Sequence, residues 1–146
     1  MTAYLNALGV ICSLGRGKKE VARNLFAGDC SGMRSEAGWV PERSLPVGAV
    51  RGELAAIPAE LSRQRSRNNQ LLLEAGLQIP RDIDHAIQTY GRHRIGVVLG
   101  TSTSGIDEAS QGLADYIRDQ RFPDAYDYQQ QELGAPANFL AEWLQL

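Results

Sequence analysis

Cysteine and histidine are scarce. Cys12, Cys30, His85 and His93 are the whole supply in 146 residues. Two cysteines cannot build a disulfide framework, and these four residues show no zinc-ligand spacing, so neither a metal nor a cofactor is expected. Long apolar runs are missing as well. No stretch of about 18 residues could span a bilayer. The opening Met-Thr-Ala-Tyr-Leu-Asn carries no basic region ahead of an apolar one, which excludes a secretory signal. Charge of one sign is also lacking: 15 Lys and Arg face 17 Asp and Glu, a net of −2. That balance argues against a surface built for nucleic acid. Internal repeats and low-complexity segments are absent. Together these absences predict a reducing, cytoplasmic compartment with neither membrane nor nucleic acid as partner.

What is present is the composition of a folded protein. Hydrophobic residues make up 43% and charged residues 22%, which is incompatible with disorder. The length fits one ordinary domain or part of a larger one, and a chain of this size can bury roughly 68–70% of its unfolded surface. Ala3–Ser13 is short and mostly apolar, and reads as a strand buried on both faces. Leu14-Gly15-Arg16-Gly17 breaks it. A helix follows over Lys18–Ala27, with Val21, Ala22, Leu25 and Phe26 at helical spacing and Gly28 in the position of a left-handed terminator. Strand, glycine turn and helix in succession indicate an α/β unit.

Asp29–Pro46 mixes Gly, Ser, Pro and charges and reads as a surface excursion, with a weaker strand at Val47–Leu54. Ile57–Arg67 is a polar approach to a helix over Asn69–Ile79. The run Leu71–Leu77 leaves that helix little polar face, which predicts a place between layers. Pro80 opens a further helix that Gly91 ends. Arg94–Leu99 is the clearest strand pattern in the chain, and it runs into Gly100-Thr101-Ser102-Thr103-Ser104-Gly105. An amphipathic helix over Ile106–Gln120 follows, through Ile106, Ala109, Leu113, Tyr116 and Ile117, with Ser104 and Asp107 spaced as a capping box. Arg121–Tyr128 is an aromatic loop and Gln129–Leu133 a short helix. A last helix from Pro136 carries Leu140, Trp143 and Leu144 on one stripe.

The Ile95–Gly105 segment carries most of the chemical information. Small residues after a buried strand let the backbone turn sharply at the strand's carboxyl end, where open α/β sheets place ligands. Such residues can cradle a phosphate, keep a pocket wall thin, or simply cap a tight turn. The lysine of a phosphate-binding loop and its glycine spacing are absent.

The order of segments resembles one family. Leu8-Gly9-Val10-Ile11-Cys12-Ser13-Leu14-Gly15 is similar to the opening strand and turn of β-ketoacyl-[acyl carrier protein] synthases, followed there by a helix ending in Ala-Gly, as at Ala27-Gly28. Val97–Gly105 resembles that family's strand and glycine turn before the acyl pocket. Ser62-Arg63 and Arg67, ahead of an apolar helix containing Gly76, fit the same pattern, and Pro136–Leu146 resembles the helix preceding the nucleophile strand.

The resemblance implies an α/β fold: residues 1–146 as the N-terminal region of a thiolase-like αβαβα layered fold, incomplete and ending before the nucleophile strand. It implies an acyltransferase that joins an acyl thioester to malonyl-carrier protein in fatty-acid, polyketide or polyene biosynthesis. It places no catalytic residue in this segment, because the nucleophilic cysteine is expected beyond Leu146 and the two histidines further on. Cys12 and Cys30 are read as packing and loop residues, and His85 and His93 as solvated. Arg63, Arg65 and Arg67 are expected to dock the acidic acyl carrier protein. Thr103, Tyr126 and Tyr128 are expected to border the acyl pocket, with the segment around Tyr126–Tyr128 crossing to a second subunit. The partner subunit would be a second copy or the other member of a synthase heterodimer. The competing reading is a chain-length-factor-like partner without a nucleophile of its own. A free-standing α/β binding module is a third reading, against which the apolar end Trp143-Leu144-Gln145-Leu146 speaks.

Overall fold

Glycines set the first turns of the chain. Gly15 and Gly17 take φ of 138° and 80°, conformations that L side chains rarely adopt. Gly15 opens the second strand of a minimal hairpin between Ile11–Cys12 (β1) and Gly15–Arg16 (β2), and Gly17 turns the chain from that strand into the first helix. The computed structural model describes residues 2–146, which form an α/β chain. The remaining elements in order are α1 (Lys18–Phe26), β3 (Met33–Val40), β4 (Arg43–Gly48), α2 (Arg67–Gly76), α3 (Pro80–Tyr90), α4 (Ile106–Asp119) and α5 (Ala135–Leu144). Short 3₁₀ turns occupy Ala59–Gln64, Arg92–Arg94 and Tyr128–Gln131. The chain divides into two compact units: Met1–Leu54 with Glu74–Asp82, and Ala55–Leu73 with Ile83–Leu146.

In the first unit, α1 ends as expected, with Gly28 left-handed at φ 67°. The Asp29–Pro46 excursion and the Val47–Leu54 strand are corrected. Their residues form the antiparallel pair β3–β4, in register from Met33 opposite Gly48 to Val40 opposite Arg43, with an irregularity between Glu36 and Val40. The Gly, Ser and Pro content that suggested irregular backbone instead supplies the turn and the bulge of a hairpin. The long buried strand at Ala3–Ser13 is also corrected. Only Ile11 and Cys12 pair, while Tyr4 and Leu5 are exposed. The Gln78 amide holds this segment at both backbone groups of Val10, accepting from its N–H at 2.9 Å and donating to its carbonyl at 3.0 Å. Arg16 pairs with Glu74 at 3.2 Å and donates to the carbonyls of Arg51 and Glu53.

The second unit holds the largest fully buried side chains, Phe139 and Pro136 of α5, with Leu73 and Ala109 also buried. The α4 stripe read from the sequence is corrected in part. Ala109 and Gly112 are its buried residues, whereas Ile106, Leu113 and Ile117 stay exposed. The packed face is therefore the small one, because a Cβ at Gly112 would overlap the Tyr126 ring. In α2, of Leu71, Leu72 and Leu73 only Leu73 is buried, and Leu77 is half exposed. Arg94–Leu99, the clearest strand of the sequence, is extended at Ile95 but pairs with no strand among the described residues, and Val98 is 97% exposed. A strand needs backbone partners as well as the right residues. No helix among the described residues is long and apolar enough to cross a membrane.

Candidate functional site

A polar cluster of the second unit gathers around Gln130, a buried residue of the Tyr128–Gln131 turn. Asp127 starts that turn by accepting from the Gln129 N–H at 2.9 Å. The Gln130 amide then donates to the carbonyls of Arg63 at 2.8 Å and Arg65 at 3.3 Å. Its main-chain carbonyl accepts from the Gly105 N–H at 2.7 Å. Gly105 has to be glycine here, since a Cβ would come within 2.8 Å of the Gln130 carbonyl oxygen. One residue thus touches both the arginine segment and the glycine-rich turn.

The arginine segment is fixed at its other end by the start of α2. The Ser66 hydroxyl accepts from the Asn69 N–H at 3.2 Å, an N-terminal cap. Glu108 of α4 accepts from the Arg67 N–H at 2.6 Å, which places a carboxylate at the positive end of the α2 dipole. Arg63, Arg65 and Arg67 are all exposed. Arg65 and Arg67 line a cleft of about 500 Å³ with Glu108, Asp115 and Tyr126. Arg63 lines another, of about 290 Å³, with Glu60, Asp127, Glu132 and Glu142. Carboxylates therefore match the guanidinium groups in the first cleft and outnumber them in the second.

Of the residues expected at an acyl pocket, Tyr126 is half-buried in the larger cleft, where its ring stacks on Phe122 at 4.3 Å and Phe122 on Tyr116 at 4.4 Å. Thr103 is exposed on the glycine-rich turn, where its N–H donates to the Thr101 hydroxyl at 3.2 Å. Tyr128 is exposed at the start of its 3₁₀ turn. The structure therefore brings Tyr126 beside Arg65 and Arg67 and leaves Thr103 and Tyr128 on the surface. The capping box at Ser104 and Asp107 is a correction: Gly105 caps α4 with no side-chain bond, and the buried Ser104 hydroxyl has no partner among the described residues. Cys12 lies in β1 and Cys30 in the turn after α1, its thiol 3.6 Å from the Gly28 carbonyl. Neither has the helix N-terminus that would activate a thiolate. His85 and His93 are exposed.

Gln130 and Ser66 were not singled out by their chemistry in the sequence. Ser66 carried a signal, a serine one residue ahead of a helix. Gln130 carried none, because Gln129, Gln130 and Gln131 are identical side chains and only packing selects the buried one.

A capped helix led by an anchored basic segment, facing a glycine-rich turn beside an amphipathic helix, belongs to a ketosynthase-like fold. One match is to a chain of the solved complex of the ketosynthase ApeO with its chain length factor ApeC from Xenorhabdus doucetiae. It has a TM-score of 0.89 and 42% sequence identity over 97% of this chain. The match takes in 36% of that chain, so the protein spans about a third of its solved relative's length. No protein-family model matches the chain, and no curated protein matches it.

Proposed function

We propose that these 146 residues serve as the N-terminal region of a β-ketoacyl synthase, whose whole form condenses an acyl thioester with malonyl-carrier protein. The observation that carries this reading is the 42% identity maintained over 97% of the chain together with a TM-score of 0.89. In that reaction an acyl group is held as a thioester on a cysteine sulfur. Decarboxylation of the malonyl unit leaves a carbanion, which attacks the acyl carbonyl; the new carbon–carbon bond forms as the thiolate leaves. The activating groups lie outside this segment, and the segment's part is to border the acyl pocket through Thr103, Tyr126 and Tyr128 and to receive the carrier protein at Arg63, Arg65 and Arg67.

The second reading is a chain-length-factor-like subunit, favoured by the fact that the matched structure is a ketosynthase held by its chain length factor. Both readings predict that the 146-residue chain alone yields no ketoacyl product from acyl- and malonyl-carrier protein; product above a no-protein control would overturn both. Intact-mass analysis of the protein carrying this segment, after incubation with acyl-carrier protein, separates them. A covalent acyl adduct supports the synthase, and its absence with activity restored by a partner subunit supports the chain length factor.

A further inference from the structure

The cleft that holds Arg65 and Arg67 is charge-balanced by Glu108 and Asp115, and the chain carries a net charge of −2. Long-range attraction therefore does little to bring an acidic partner to this surface, and the arrangement in which the guanidinium groups are offered has to do more. That arrangement depends on one buried amide. Gln130 is 6% exposed and bonds the Arg63 and Arg65 carbonyls through its side chain and the Gly105 N–H through its backbone. A buried donor of this kind fixes its acceptors because leaving them unpaired costs more than the bond itself returns.

We propose that Gln130 is a positioning residue that holds the Arg63–Arg67 segment against the Thr101–Gly105 turn, so that an acidic carrier protein docked on the arginines also fixes the turn. This rests on the carrier-docking reading above, and it adds a specific residue and a link between two segments that are far apart in sequence. The local geometry supports it from both sides. The Ser66 cap and the Glu108 carboxylate fix the end of the segment that enters α2. Gln130 fixes the end that leaves the Ala59–Gln64 turn by donating to the Arg63 and Arg65 carbonyls.

The test is a double-mutant cycle read by acyl carrier protein binding to the 146-residue chain. Gln130→Met keeps side-chain length and removes the donors. It should weaken binding about tenfold in the unaltered chain and have no further effect once Arg63→Ala and Arg65→Ala are present. A purely structural role would lower the folded fraction equally in both backgrounds. Should Gln130→Met not fold, hydrogen exchange in the unaltered chain answers the same question: saturating carrier protein should slow exchange of the Gly105 amide several-fold. Binding that protects the 63–67 amides while Gly105 is unchanged, or a Gln130→Met chain that binds normally, overturns the inference and leaves docking intact. An unaltered chain that binds no carrier protein overturns the docking reading and the inference with it.

Discussion

Gly112 shows how much a single position decides. The Tyr126 ring occupies the space that its Cβ would take, and Tyr126 in turn supports the stack with Phe122 and Tyr116. Gly112→Val should therefore push the aromatic loop off α4 and cost about 1–3 kcal/mol in urea denaturation, the range for overpacking a filled site. An unchanged midpoint would mean that the ring moves aside freely. Asp29 offers a pH-dependent counterpart in the first unit. Its carboxylate accepts from the Ser31 N–H at 2.7 Å, and this bond is the largest cause holding its pKa below the ordinary value. A carboxyl depressed in the folded state contributes stability above its unfolded pKa of about 3.9, and that contribution is lost as pH falls through the folded value. An NMR titration of the Asp29 carboxyl should give a midpoint below 3.9, and a midpoint at the ordinary value would show that the turn is open in solution.

At the level of elements, α2 depends on its first turn. Leu73 is its buried apolar residue, and the Ser66 hydroxyl satisfies one of the amides at its start. Ser66→Ala should destabilise the second unit by about 1 kcal/mol, read by thermal unfolding, and Ser66→Asp should restore most of that loss. The arginine segment leads into the same helix. Reversing charge with Arg63→Glu and Arg67→Glu should weaken carrier-protein binding by ~1 kcal/mol or more, and the effect should shrink as salt is added. Affinity unchanged at low salt would make the three arginines an ordinary solvated run.

Across the whole molecule, the accessible surface is 10775 Å². Two entirely separate units of these sizes would expose about 8,900 Å² by the scaling of folded monomers. The excess lies within the units. It includes Leu5 and Val98, apolar residues of the two extended segments that pair little or not at all. Exposed apolar surface and unpaired strand edges invite association. Burying 600 Å² of it would return roughly 15 kcal/mol before association costs. Light scattering across a dilution series should therefore show a mass that rises with concentration. A mass that stays monomeric at high micromolar concentration would show that this exposed surface does not drive association.

Sequence alone determined what depends on neighbours along the chain. Helices over Lys18–Phe26, Pro80–Tyr90 and Ile106–Asp119 were legible because apolar spacing, Pro80, Gly28 and Gly91 act within a few residues of themselves. The ketosynthase-like fold was legible because several segments kept their order, which no single motif could establish. Only the tertiary structure decided what depends on distant partners. Arg94–Leu99 has a strand's residues and no strand to pair with among those described, β3 and β4 become a hairpin because each supplies the other's hydrogen bonds, and α4 buries its small face because Tyr126 lies over Gly112. The candidate site followed the same division. Its arginines and tyrosines stand out by residue type, while Gln130, the residue that ties the arginine segment to the glycine turn, is distinguished from Gln129 and Gln131 only by being folded inside, where its amide must find acceptors.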